Sequence, residues 1–207
     1  MEGLARILTG ATPVVDALLL VIVVVGIVGL SFAPRLIKAG LLRPWQVARG
    51  RQRHTLLTSG FVHATYGHLL FNALTLWSFG PQLEQRIGSG RFALLYLAGL
   101  MVSDLGTVYR QRNNSGYASL GASGAILAVL FASILYFPLQ SLFVMFVPIP
   151  VPAWLFALGY LAYSLYASRF ARDHINHDAH LGGAIAGILF VVLTDPDAAR
   201  RALQLIQ

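Results

Sequence analysis

Ser123 stands in a run of small residues, YASLGASGAI over 117–126, inside a stretch from 113 to 168 that contains no charged residue. A serine hydroxyl attacks a carbonyl carbon only where a base removes its proton. Small neighbours such as Gly121 and Gly124 leave room for that base and for a substrate backbone. The same composition is also ordinary packing material between membrane helices. Taken alone, the run is compatible with a nucleophile or with a close helix contact, and packing is the more common meaning.

His180 is a candidate for the base. It precedes a glycine-rich segment in which Gly183 and Gly187 are four residues apart, a spacing that favours close helix contact. Gly124 and Ala128 form a matching surface next to the serine. If these surfaces meet, an imidazole with an ordinary pKa of ~6.5 can act as general base and then as general acid. The spacing therefore predicts a serine–histidine dyad.

His68 and Asn72 are also four residues apart, so both project from one face of a helix. Two side-chain donors aimed at one point are what an oxyanion hole requires. The alternative is that both side chains bond to neighbouring helices and hold a bundle together. The residues alone leave the two interpretations equally open.

A metal site is a competing interpretation of the segment RDHINHDAH. His174, His177 and His180 are spaced by three, with Asp173 and Asp178 among them, and imidazoles on one helical face can bind zinc. The segment lacks the His-Glu-x-x-His pattern and straddles a predicted helix boundary, so we predict no metal. Asp178 would face away from His180 on a helix and is not included as a third catalytic residue.

The composition indicates the environment in which these residues work. The chain is 57% hydrophobic and 11% charged, against roughly a quarter charged in soluble domains, so it is predicted to lie in a membrane. Its net charge of +7 comes from basic residues spread through loops, which favours anionic lipid headgroups over nucleic acid as partners. The absence of cysteine excludes disulfides and thiolate metal sites.

Six spanning helices are expected, because about 20 mostly apolar residues cross a bilayer. They are predicted over 14–33, 62–80, 91–108, 121–137, 152–168 and 179–194. Four prolines separate the fourth span from the fifth: Pro138, Pro148, Pro150 and Pro152. The first apolar run is longer than a signal-peptide core and lacks a cleavage site, which favours an uncleaved helix. The prediction is an all-α membrane protein with one domain over 1–207.

The segment 34–61 between the first two spans is basic and mixed with apolar residues. Amphipathic helices in the membrane interface and a plain solvated loop both suit it. Basic loops tend to remain cytoplasmic, which taken alone would place this loop inside and the N-terminus outside.

Five segments in order along the chain together resemble the rhomboid intramembrane serine proteases. They are HLLFN (68–72), FGPQLEQRIGSGRF (79–92), GASG (121–124), IPVPAW (149–154) and AHLGGAIAG (179–187). The resemblance covers most of the chain after the first predicted span. It implies a six-transmembrane-helix rhomboid-like bundle whose short fourth helix begins at the serine.

The resemblance also implies a function for each candidate residue. Ser123 is the nucleophile, His180 the general base, and His68 and Asn72 with the Ser123 backbone N–H form the oxyanion hole. Such proteases cut transmembrane or near-membrane segments of other proteins, with the substrate entering beside helix five, and use no cofactor. The resemblance further implies a cytoplasmic N-terminus, opposite to the charge rule, and we expect a bacterial cytoplasmic membrane. No oligomeric state is predicted.

The chain departs from the family pattern at two places. His54 and Thr55 occupy positions where family members often carry Trp-Arg, and Leu127 stands where many have an aromatic ring that stacks on the base. Neither departure removes a reacting atom. Both bear on the geometry of the site.

Two other classes of function are carried as alternatives. The first is a catalytically silent rhomboid-like protein that binds membrane clients, although such relatives usually lack the serine or the histidine. The second is a small transporter or proton channel with His63, His68 and His180 as a relay. The lack of inverted repeats and an expected lack of buried carboxylates in the bundle argue against it.

Overall fold

The computed structural model describes residues 11–143, 149–170 and 175–205, and most of these residues are helical. The elements of the first half are α1 (Pro13–Ser31), α2 (Pro34–Gly40), α3 (Pro44–Val47), α4 (Thr55–Thr58), a 3-10 turn (Ser59–Phe61), α5 (Tyr66–Ile87) and α6 (Ser89–Gln111). Those of the second half are α7 (Ser123–Tyr136), β1 (Ser141–Phe143), β2 (Pro150–Pro152), α8 (Ala153–Phe170), α9 (His177–Thr194) and α10 (Pro196–Leu205).

A helix lies over each of the six predicted ranges. The largest difference is at α5, which begins at Tyr66 and continues to Ile87 where the prediction ran from 62 to 80. Among the described helices, α1, α6 and α9 are long and apolar enough to cross a membrane by length and composition. The chain is therefore a mostly helical protein with helices suited to a bilayer.

The all-α expectation is wrong at one place, between α7 and α8. β1 and β2 pair antiparallel, with Leu142 opposite Val151. Pro150 and Pro152 have no backbone N–H and fix an extended or turn-compatible backbone, so this segment cannot continue a helix. The connection between the fourth and fifth predicted spans is thus partly a short hairpin.

The basic segment 34–61 is folded, not an irregular loop. It contains α2, α3, α4 and the 3-10 turn, and prolines occupy the first helical position of α2 and α3, where a missing N–H costs nothing. Leu42 exchanges two backbone hydrogen bonds with Ser119, of 2.9 and 3.0 Å. The carbonyl of Ser59 accepts from the N–H of Gly121 at 2.9 Å. The segment therefore anchors the loop that leads into Ser123.

Helix α7 is the centre of the bundle. Every residue from Gly124 to Ile134 is buried, as expected of a helix that is apolar on all sides. Helices α5, α6, α8 and α9 pack around it, and α1 packs on α5. The outer helices expose large apolar side chains such as Leu20, Trp77 and Leu158. Ser123 is the first residue of this central helix, so the nucleophile candidate is held by the most enclosed element.

Two buried carboxyl groups contradict the expectation that the bundle contains none. Glu84 on α5 is 1% exposed and accepts hydrogen bonds from the N–H groups of Val14 and Val15, at 3.1 and 2.8 Å, at the start of α1. The hydroxyl of Ser89 also donates to it, at 2.6 Å. Glu84 thus satisfies orphan donors at a helix N-terminus. Asp104 on α6 is the second buried carboxyl group.

Candidate active site

Ser123 and His180 are in hydrogen-bond contact. Nε2 of His180 lies 2.9 Å from Oγ of Ser123. The serine begins α7 and the histidine stands in the first turn of α9, so the contact joins two helix N-termini that are 57 residues apart along the chain. The structure brings together the two residues of the predicted dyad.

The approach of α7 and α9 depends on glycine. A β-carbon at Gly183 would lie 2.1 Å from the carbonyl oxygen of Gly124, and one at Gly187 would lie 2.2 Å from that of Ala128. Real β-carbons do not come so close to backbone atoms, so the helix surfaces meet at a distance that only glycine permits. These are the two surfaces that the four-residue spacing predicts as partners.

Helix α9 is fixed at its start by contacts to α6. Asn176 caps the helix by accepting from the N–H of Ala179 at 3.1 Å, and its amide donates to the hydroxyl of Thr107 at 3.0 Å. Asp178 pairs with Arg110 at 2.6 Å. Asp178 therefore forms an ion pair with α6. Together these contacts fix the position of the first turn of α9, and with it His180, relative to Ser123.

The second ring nitrogen of His180 meets a residue that sequence reasoning missed. Oη of Tyr160 on α8 lies 3.1 Å from Nδ1 of His180. Leu127, where the resemblance implies an aromatic ring, is buried in the same hydrophobic cluster as Tyr160. The sequence signal for Tyr160 was Leu127, because a base without an aromatic partner on α7 indicates an aromatic partner on another helix.

His68 lies in the first turn of α5, and its backbone N–H donates to the capping hydroxyl of Thr65 at 3.1 Å. Its ring is packed against Gly121, where a β-carbon would lie 2.5 Å from Cε1 of the imidazole. Gly121 also has φ +115°, which favours glycine. The histidine ring is therefore held against the loop that ends at Ser123.

Asn72 follows His68 one turn later on α5 and is 6% exposed. Within the described part of the chain its Nδ2 has no hydrogen-bond partner. A buried donor without a partner is rare in native proteins and suits a site that receives an acceptor from a ligand. The first N–H groups of α7, that of Ser123 among them, also remain outside helical hydrogen bonding because of their position.

The loop before Ser123 is supported by a buried polar pair. The hydroxyl of Ser59 donates to Oδ2 of Asp104 at 2.7 Å. The backbone carbonyl of Ser59 accepts a hydrogen bond from the N–H of Gly121. Tyr117 lies in this loop, and burial, followed by the nearby Asp178 and Asp104, raises its pKa to about 12. The tyrosine is therefore neutral at physiological pH.

His63 was predicted on the second span, but it lies in the loop before α5. Its side chain is fully buried and its ring contacts that of His68 edge-on, with centroids 5.1 Å apart. Burial, and then the neighbouring His68, lower the pKa of His63 to about 4. It is a neutral packing partner of His68 at physiological pH.

The residues of the metal interpretation are only partly described. His174 and Asp173 lie outside the described residues. His177 is buried and packs by ring edges against Tyr163 and His180, with centroids 5.7 and 6.2 Å away. In the ranges 11–143, 149–170 and 175–205, no group of three His, Cys, Asp or Glu side chains is placed to hold a metal ion.

A serine and a histidine lie in contact at the starts of two tightly packed helices. With the apolar bundle around them, they define a helical membrane protein with a candidate serine–histidine site. Comparison with known proteins gives the family. The profile described as "Rhomboid domain" matches residues 50–196, and the chain belongs to the rhomboid family.

Several curated relatives are similar to this chain over about two thirds of its length. It is 31% identical over 139 residues to "Rhomboid protein 1, mitochondrial" of Saccharomyces cerevisiae, covering 66% of this chain and 40% of that protein. It is 32% identical over 146 residues to "RHOMBOID-like protein 12, mitochondrial" of Arabidopsis thaliana, with 63% and 43% covered. It is 38% identical over 133 residues to "Rhomboid protease GluP" of Bacillus subtilis, with 64% and 24% covered. The chain thus spans less than half the length of each.

Proposed function

We propose that this protein is an intramembrane serine endopeptidase that hydrolyses peptide bonds in or near transmembrane segments of other membrane proteins. The observation that carries the proposal is the 2.9 Å contact between Nε2 of His180 and Oγ of Ser123. Membership of the rhomboid family and the similarity to a relative named as a protease support it.

In the proposed reaction, Oγ of Ser123 forms a bond to the scissile carbonyl carbon while Nε2 of His180 takes the hydroxyl proton. The carbonyl oxygen becomes an oxyanion, which His68, Asn72 and the Ser123 N–H stabilise. The C–N bond then breaks and His180 delivers its proton to the leaving amine. A water molecule then attacks the acyl carbon while His180 takes a proton from it. The C–Oγ bond breaks, His180 returns the proton to Oγ, and the new carboxyl end of the product leaves. The reaction uses the chain's own groups and needs no cofactor.

The proposal places the site in a bilayer crossed by six helices, α1 and α5 to α9. The large apolar side chains exposed on the outer helices support this, because lipid is the solvent that such a surface suits. We propose a cytoplasmic N-terminus, as the family resemblance implies, and a bacterial cytoplasmic membrane. The partners are then transmembrane substrates and lipid, not nucleic acid.

The test is covalent labelling of the purified protein with a fluorophosphonate probe, together with cleavage of a model transmembrane substrate. We expect labelling and cleavage by the wild type and neither by Ser123→Ala, and strongly reduced labelling by His180→Ala. Ser133→Ala, a buried serine on the same helix, is the matched control and should retain both activities.

Labelling or cleavage that persists in Ser123→Ala would refute the mechanism. A folded wild type that is inert to the probe, cleaves nothing and retains a membrane client would favour the catalytically silent alternative.

A further inference from the structure

Both ring nitrogens of His180 are engaged, and by different helices. Nε2 faces Ser123 on α7 at 2.9 Å, and Nδ1 faces Oη of Tyr160 on α8 at 3.1 Å. The imidazole is therefore held along a line between a serine hydroxyl and a phenol hydroxyl. The first contact belongs to the dyad, but the second has no part in it.

The second contact suits the tautomer that the reaction needs. For Nε2 to accept the serine proton it must be unprotonated, so the neutral ring must carry its hydrogen on Nδ1. A tyrosine hydroxyl oxygen can accept that N–H. When Nε2 gains the serine proton, the ring becomes an imidazolium, and a hydrogen bond to a charged donor is stronger than one to a neutral donor. The contact is therefore compatible with the required tautomer and stabilises the charged intermediate.

The ring of Tyr160 is fixed by aromatic packing. It stacks with Phe156 on its own helix, with centroids 5.7 Å apart, and packs against Phe131 on α7 at 5.8 Å. Because Phe131 belongs to the helix that begins at Ser123, the phenol hydroxyl is positioned relative to the nucleophile. The buried residues of α8 itself are small: Ala153, Ser164 and Ala167. The aromatic contacts of Tyr160 are therefore important for holding its ring in place.

We propose that Tyr160 is a positioning residue that orients His180 and stabilises its imidazolium form through the Nδ1 nitrogen. The inference rests on the proposed function, because it assigns a partner to the base of that reaction. It also accounts for Leu127, since a hydrogen bond from α8 holds the imidazole where the family resemblance implies an aromatic ring from α7.

Other titratable groups surround the imidazole. His177 on the same helix lies 6.2 Å away between ring centroids, and the carboxyl of Asp178 is paired with Arg110 of α6. Tyr160 is the group described at Nδ1. Removal of its hydroxyl is thus a change that addresses this nitrogen and keeps the packed aromatic ring.

The test is Tyr160→Phe, which keeps the packed ring and removes the hydroxyl. We expect the second-order rate of fluorophosphonate labelling to fall about tenfold, with little change in melting temperature. The acidic limb of the pH–rate profile should move to lower pH, because the imidazolium loses an acceptor. Tyr166→Phe, an exposed tyrosine on the same helix, is the matched control and should label at the wild-type rate.

Nitrogen NMR of histidine-labelled protein gives a readout independent of activity. We expect the Nδ1 signal of His180 to change in Tyr160→Phe and not in Tyr166→Phe. If the wild type is labelled at Ser123 but Tyr160→Phe matches it in rate and pH profile, the inference about Tyr160 is overturned and the proposed function stands. If the wild type is not labelled either, the proposed function fails. Independently of labelling, an unchanged Nδ1 signal in Tyr160→Phe overturns the contact between Tyr160 and His180.

Discussion

Gly187→Ala tests whether close helix packing is what aligns the dyad. Gly187 does not touch a reacting atom, and it lies seven residues after His180, about 10 Å along α9. Its role in the site is therefore purely one of helix spacing. The substitution adds a single methyl group at the contact with α7.

The expected effect follows from the distance at that contact. The added carbon would lie 2.2 Å from the carbonyl oxygen of Ala128, whereas carbon and oxygen atoms settle at about 3.3 Å or more. The helices must therefore separate by about 1 Å. The same shift at the dyad would stretch its 2.9 Å contact beyond hydrogen-bond range. We expect labelling of Ser123 to fall about 100-fold and stability to fall by about 1–3 kcal/mol.

The assay is the rate of fluorophosphonate labelling in lipid nanodiscs, with the melting temperature measured on the same samples. Gly106→Ala is the matched control, because a β-carbon at this glycine of α6 meets open space. The control should keep the labelling rate and lose no stability, since alanine favours a helix more than glycine does. Wild-type labelling and an unchanged melting temperature in Gly187→Ala would refute the reasoning.

Two further predictions concern stability. Glu84→Ala removes the acceptor of three hydrogen bonds at the start of α1 and at Ser89, so we expect a loss of about 3 kcal/mol in thermal or denaturant unfolding. Asp197→Ala, which breaks an exposed ion pair, should change little. His63 has its pKa lowered to about 4 by burial. Its contribution to stability is thus present above about pH 6.5 and is lost as pH falls toward 4, at most about 2 kcal/mol between pH 7 and 5. His63→Gln should therefore lose less melting temperature on acidification than the wild type does.

Each of these predictions has a clear contradicting result. A Glu84→Ala protein that unfolds with the wild type would show that the buried carboxyl group is not a structural cap. Parallel melting curves across pH for the wild type and His63→Gln would show that another group controls acid sensitivity.

The positions of Ser123 and His180 near helix starts were predictable from the bounds of the apolar runs, and the helix faces beside them from the spacing of small residues. Both are local patterns. Gly124 with Ala128, and Gly183 with Gly187, are each four residues apart, and that spacing alone selects one face of each helix. Which two faces meet is then limited to a few choices. The structure brings these two faces into contact.

Tyr160, Glu84 and Asp104 could not be assigned from spacing. Each acts on a residue far away in the sequence: His180 for Tyr160, the start of α1 for Glu84, and Ser59 for Asp104. Single polar residues in apolar helices carry no periodicity that identifies a partner. The packing of the basic segment 34–61 against the loop that leads into Ser123 could not be predicted for the same reason.

The sequence by itself determined the membrane class, the positions of the helices and the residue types that could form a dyad. These depend on apolar length, helix-breaking prolines and glycine spacing, which are local properties of the chain. The tertiary structure decided the rest: which ring nitrogen faces the serine, what holds the other one, and where the buried carboxyl groups find their donors. Those outcomes depend on the distance and direction between helices, and contacts between distant residues fix these only once the bundle has packed.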